Sequence, residues 1–121
     1  MILNLTQHPA TPDQIAAGVV DLPGGWKSLL DFTVIPTVKE LETRAIQVAS
    51  IVPGEYREAM IGGAPFFMSI LEDALLAREI TPIYAFSVRE SIEQSQDDGS
   101  VKKLNVFKHI GFVSPYSRVL T

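Results

Sequence analysis

Two helix starts are spelled out in this chain by its residues. Thr11-Pro12-Asp13-Gln14 supplies a hydroxyl N-cap, a proline at the first helical position and a glutamine three residues beyond the cap. Thr37-Val38-Lys39-Glu40 repeats the pattern with glutamate as the third residue. A third start is marked by Pro65, directly after Gly62-Gly63-Ala64. A chain that alternates extended runs with capped helices buries its apolar faces by laying the helices on a mainly parallel sheet.

The runs between these starts fit that scheme. Ile2-Leu3-Asn4-Leu5-Thr6 is short and largely apolar, as expected of an interior strand covered on both faces. The helix from Thr11 is expected to stop at Gly18, and Val19 to Leu22 can form a short strand before the Pro23-Gly24-Gly25 turn. Trp26 to Phe32 can supply a helical turn or two. In the helix from Thr37, Val38, Leu41, Ala45, Val48 and Val52 recur at helical spacing, and Pro53-Gly54 ends it. Ala59-Met60-Ile61 reads as a strand, and 64–78 as a helix with Phe67, Ile70, Leu71, Ala74 and Leu75 on one face. Glu79 stands where a C-terminal glycine is expected. Ile83 to Val88 is a further strand. A hairpin then follows, from Arg89 to Gln94 and back from Val101 to Val113, turning at Asp97-Asp98-Gly99. The expected fold is a single Rossmann-like domain over residues 1–121: a three-layer α/β sandwich, mainly parallel, with a C-terminal antiparallel hairpin.

Composition removes several functions. The chain has 121 residues, 46% of them hydrophobic and 20% charged, which suits one globular core. Without cysteine there is no disulfide framework, no thiolate nucleophile and no thiolate zinc site. No apolar run reaches the roughly 20 residues that cross a bilayer, and Met1 to Thr6 carries no basic leader, so the expectation is a cytoplasmic protein without a membrane partner. A net charge of -4 argues against general DNA or RNA binding. All 14 acidic residues nevertheless lie at or before Asp98, and Lys102, Lys103, Lys108 and Arg118 follow. That basic end reads either as a solvated hairpin face or as a wall for an anion.

Ligands of open parallel sheets bind beyond the carboxyl ends of the strands. Two loops take that position here, Thr6-Gln7-His8-Pro9 and Gly62-Gly63-Ala64-Pro65. The glycines allow close backbone approach, and free N–H groups at a helix start favour an anion, although a tight strand-to-helix turn needs the same residues. His8 reads as an acid/base, a phosphate ligand or a surface residue. His109, beside Lys108 on the last strand, is a weaker candidate. Arg89 follows the strand ending at Val88 and suits phosphate, with Ser87 as a hydrogen-bond donor beside it. No carboxylate pair, second histidine near His8 or Gly-x-Ser-x-Gly elbow supports a metal, another cofactor or serine hydrolysis.

Leu5-Thr-Gln-His-Pro-Ala-Thr-Pro-Asp-Gln14 resembles the opening of small CRISPR-associated Rossmann-like proteins. These include ring nucleases, which bind and linearise cyclic oligoadenylate second messengers. Ile-Gly-Gly-Ala-Pro (61–65) and Tyr-Ala-Phe-Ser-Val-Arg-Glu (84–90) look like the later ligand loops of that group. The resemblance implies a homodimer with a two-fold symmetric cleft and metal-independent positioning of a ribose 2′-hydroxyl against its phosphate. The matching positions are His8, Gly62, Gly63, Ser87 and Arg89, with His8 and Arg89 catalytic. The Arg89–Val113 hairpin is longer than the resemblance implies. The competing expectation is a non-catalytic interaction protein of a mobile element or defence locus that uses this hairpin as its edge.

Overall fold

A computed structural model describes residues 1–116, and Arg118 lies outside them. In chain order the elements are β1 (Ile2–Asn4), α1 (Pro12–Ala16), β2 (Val19–Asp21), a 3-10 helix (Gly25–Leu30), α2 (Val38–Ser50), β3 (Glu58–Met60), α3 (Pro65–Leu76), β4 (Thr81–Ser95) and β5 (Val101–Val113). They build one five-stranded sheet in the order β2-β1-β3-β4-β5. The first four strands are parallel, and β5 returns antiparallel on β4. β1 is interior, as its apolar run required, with Leu3 opposite Val20 on one side and Ala59 on the other. This is a mainly parallel α/β sandwich with an antiparallel hairpin.

The caps form where the residues placed them. Thr11 accepts from the Gln14 N–H at 3.3 Å, and the Gln14 side chain accepts from the Thr11 N–H at 3.0 Å, which closes a full capping box. At α2 only half of the box forms, with Thr37 Oγ1 accepting from the Glu40 N–H at 3.1 Å. Glu79 adopts φ 60, and the Glu79 and Ile80 N–H groups donate to Leu76 and Leu75 at 2.9 and 3.0 Å. That is a Schellman closure with glutamate in the left-handed seat that glycine usually fills.

The main core lies on one face of the sheet. Leu41, Ala45, Val48 and Ala49 of α2 and Phe67, Leu71 and Leu75 of α3 are buried there against Leu3, Leu5, Ala59 and Ile61. Each fully buried Leu or Phe contributes about 1.5–3 kcal/mol. Val38, expected on the buried stripe, is exposed in the first turn of α2. The opposite face is thinner: Ile2, Ala10, Val19, Met60 and Ile83 form a small cluster with Phe112 packed against it.

The main departure from expectation lies in β4. The strand does not stop at Val88, and the hairpin is not a separate unit. Thr81–Ile83 pair with β3, and Tyr84–Ser95 continue as the same strand, paired to β5 throughout. Extended, largely β-branched and polar residues without proline give the chain no reason to break at Val88. A register shift at Phe86/Ser87 marks where the ribbon leaves the sheet. At its tip Gly99 takes φ 85, and Asp98 Oδ1 accepts from the Ser100 N–H and hydroxyl at 2.9 and 2.6 Å.

Candidate functional site

In this strand order the chain leaves β1 toward β2 on one side and places β3 on the other. A crevice is expected at the carboxyl ends of β1 and β3, where helix starts and loops diverge. A cavity of about 410 Å³ is found there. Thr6, Gln7, His8 and Pro9 form one wall, with Thr11 and Gln14 from the start of α1. Met60, Ile61, Gly62 and Gly63 form the other, and Tyr84 and Ala85 close the side toward β4.

The wall carrying His8 is shaped by a residue that the sequence pattern does not single out. Asn4 ends β1 with its side chain buried, only 2% exposed, the one polar member of the buried core among the described residues. Its Nδ2 donates to the His8 carbonyl at 2.8 Å and to Asp21 Oδ1 at 2.8 Å. Its Oδ1 accepts from the Thr6 N–H at 2.9 Å and the Thr6 hydroxyl at 2.7 Å. Two donors and two acceptors exhaust what an amide side chain offers. Asp21, at the end of β2, also accepts from the Ala10 N–H at 3.0 Å, so both ends of the 6–10 loop are tied to one network. The Asn4 side chain and then the Ala10 N–H hold the Asp21 carboxyl below the usual carboxylate range. The imidazole of His8 itself stays at the exposed rim.

The opposite wall is made of backbone. Gly63 takes φ 141, a conformation that side-chain-bearing residues rarely adopt. Gly62 lies so near the first wall that a Cβ there would meet the Thr6 methyl at 3.7 Å. No carbonyl or side chain among the described residues accepts from the Gly62 or Gly63 N–H. Tyr84 borders the crevice, and its side chain packs on the main core with its hydroxyl donating to Glu72 of α3, which also accepts from Tyr116 at 2.7 Å. Burial, and then the bond to Glu72, push the Tyr84 phenol well above its ordinary range. It is a fixed donor, unsuited to accept a proton.

The expected site residues therefore divide. Thr6, Gln7, His8, Gly62 and Gly63 converge on the crevice. Ala64 stands just behind it as the α3 N-cap, half-buried on the core. Ser87 lies farther along β4, in a separate depression of about 360 Å³ with Phe107, His109 and the start of α1. Arg89 and Lys108 are on the ribbon, and the Arg89 guanidinium sits 5.4 Å from the centre of the Phe107 ring. Arg89 is thus not at a strand end and does not share the crevice, because β4 runs on past it. The basic wall is a feature of the exposed ribbon, and its Arg118 lies outside the described residues. Asn4, Asp21 and Tyr84 were missed. Asn4 left a signal, since one polar residue inside a strand covered on both faces must find partners.

Among the described residues no group of three or more His, Asp and Glu side chains is placed to hold a metal ion. None of the described helices is long and apolar enough to cross a membrane. No curated protein and no solved structure matches the chain. One protein family does, over residues 1–113, a span that ends with β5 and so contains both the crevice and the ribbon. By that match the chain belongs to the uncharacterized protein MJ1673 family.

Proposed function

We propose that the crevice between β1 and β3 binds a phosphate-bearing small ligand, of which a nucleotide is the leading candidate. The observation that carries this reading is the expenditure of a buried amide. Asn4 commits all four of its hydrogen bonds to holding the loop of Thr6 and His8 open opposite the free N–H groups of Gly62 and Gly63. A fold needing only a turn there would leave Asn4 apolar, since unpaired or partly paired polar groups in a core are costly. Backbone N–H groups near a helix start suit an anion, and the cavity volume falls in the range of small-ligand sites.

The resemblance of residues 5–14 to ring-nuclease openings makes cyclic oligoadenylate the first ligand to test. In that reading His8 exchanges protons with the ribose 2′-hydroxyl or the leaving oxygen, while the glycine N–H groups hold the phosphate. The chemistry needs no metal. With Arg89 away on the ribbon, His8 is, among the described residues that line the crevice, the one side chain able to carry positive charge.

The test is a melting scan against cyclic and linear oligoadenylates, mononucleotides and inorganic phosphate, on the wild type and on Gly62→Ala. The added methyl meets only the Thr6 methyl at ordinary contact distance, so the fold tolerates it while the gap between the walls narrows. A ligand at about 100 times its dissociation constant stabilises by about 2.7 kcal/mol. The reading predicts such a shift for a phosphate-bearing ligand in the wild type and its loss in Gly62→Ala. No shift with any phosphate compound, or an equal shift in both proteins, contradicts it. His8→Ala separates binding from turnover: a cleaving enzyme keeps the shift and loses the product.

A further inference from the structure

The crevice has a neighbour. Thr11 and Gln14 line it and also line the depression of about 360 Å³ in which Ser87, Phe107 and His109 of the ribbon meet Asp13 of α1. Ala85 at the edge of the crevice and Ser87 in the depression are next-but-one residues of β4, about 7 Å apart. The two spaces therefore adjoin, and a ligand seated in the first can reach the second. Their chemistry differs. No carboxylate is among the described residues that line the crevice, where the Gly62 and Gly63 N–H groups suit an anion. The depression carries the Asp13 carboxylate, which repels a phosphate. It also carries the Phe107 ring, which is 73% exposed even with the Arg89 guanidinium 5.4 Å from its centre. An aromatic ring left this open on a strand suits stacking on a planar group.

The polar groups of the depression are unspent. Gln14 Oε1 accepts from the Thr11 N–H in the capping box, which fixes the amide and leaves its NH2 without an acceptor among the described residues. The Ser87 hydroxyl and the His109 ring also have no hydrogen-bond partner among them. His109 Nδ1 is buried, and the ring stands edge-on to Phe112 with centroids 4.9 Å apart. A buried, unpaired N–H is costly, so the neutral ring carries its proton on Nε2, the nitrogen that is not buried. Donors from Gln14, Ser87 and His109 match the ring nitrogens of a heterocycle, and Asp13 matches an exocyclic amino group. We propose that this depression is a base subsite: a ligand whose phosphate sits at Gly62 and Gly63 lays an amino-bearing nucleobase on Phe107, and its amino group donates to Asp13. This rests on the phosphate reading of the crevice and adds which end of the ligand lies where and which bases are accepted.

Three compounds separate the two ends of the site by isothermal titration calorimetry. Ribose 5-phosphate reports the phosphate end alone, purine riboside 5′-monophosphate adds the planar ring, and adenosine 5′-monophosphate adds the amino group. Stacking on one aromatic ring strengthens binding by about tenfold, and a hydrogen bond to a carboxylate by about tenfold again. Affinity should therefore rise at each step in the wild type. Phe107→Ala should remove most of the first step, and Asp13→Ala the second step alone. Both side chains are exposed, so neither change disturbs the core. Equal affinity for the three compounds in the wild type, or variants that keep both steps, overturns the base subsite and leaves the phosphate reading of the crevice standing. Failure of all three compounds to bind overturns both.

Discussion

Replacing Asn4 by alanine removes the side chain on which the crevice wall is built. Four hydrogen bonds disappear, to the His8 carbonyl, Asp21, the Thr6 N–H and the Thr6 hydroxyl. The bond to the Asp21 carboxylate is charge-assisted and contributes about 1.5–3 kcal/mol, and a neutral one contributes about 1 kcal/mol. The losses do not all add. The Thr6 hydroxyl keeps the His8 carbonyl at 3.1 Å, and Asp21 keeps the Ala10 N–H at 3.0 Å. Water from the crevice can also enter part of the vacated space. A cost of about 3 kcal/mol remains, which in a domain of this size lowers Tm by about 10–15 °C. The assay is urea unfolding followed by fluorescence of the single tryptophan, Trp26, whose indole N–H donates to the Leu22 carbonyl at 2.8 Å. The midpoint should fall with the slope unchanged, since the surface exposed on unfolding is the same. Asn4→Asp should be worse at pH 7, where it sets a second carboxylate against Asp21, than at pH 4. A change below about 0.5 kcal/mol for Asn4→Ala would mean that other contacts hold the 6–10 loop, and the argument from the buried amide would fail.

Three further outcomes follow from local geometry. Thr37→Ala removes the hydroxyl that accepts from the Glu40 N–H at 3.1 Å and should cost about 1 kcal/mol in the same urea assay. Glu79→Gly relieves a side chain held at φ 60 and should stabilise by about 0.5–1 kcal/mol; a destabilised variant would show that Glu79 makes a compensating contact. The Asp21 carboxyl is held below its ordinary range chiefly by the Asn4 side chain, so its contribution is present above the unfolded pKa of about 3.9 and is lost as pH falls through the lower folded value. Asp21→Asn should therefore lose less stability than the wild type between pH 6 and pH 2.5, measured by thermal melts, and parallel curves would refute the linkage.

Much of the architecture was legible because its signals are local. The Thr11 and Thr37 caps, the Phe67–Leu71–Leu75 stripe and the Asp98-Gly99 turn each rest on residues a few positions apart, and each forms as read. Interior placement of β1 followed from its apolar run. Both crevice loops were also legible, since strand ends followed by capped helix starts mark the carboxyl edge of the sheet. The rest depends on pairing between distant residues. Where β4 ends is decided by β5, which keeps it extended to Ser95, and Arg89 moved from a strand end to the middle of a ribbon for that reason. Asp21 meets Asn4 across seventeen positions of sequence, and nothing near either residue announces the other. Tyr84 reads as a strand aromatic until Glu72 of α3 is brought to its hydroxyl.

The central claim is that the Gly62-Gly63 backbone and the His8 loop together form the ligand site, and amide chemical shifts test it most directly. Uniformly ¹⁵N-labelled protein is titrated with the phosphate-bearing compound that gives the largest melting shift, and with inorganic phosphate if none does. The account predicts saturable movement of the Gly62 and Gly63 amide signals together with those of Thr6, Gln7 and His8, while signals from α2 and the ribbon tip stay in place. Movement confined to the ribbon around Arg89 and Lys108, or no saturable movement at Gly62 and Gly63, would contradict it.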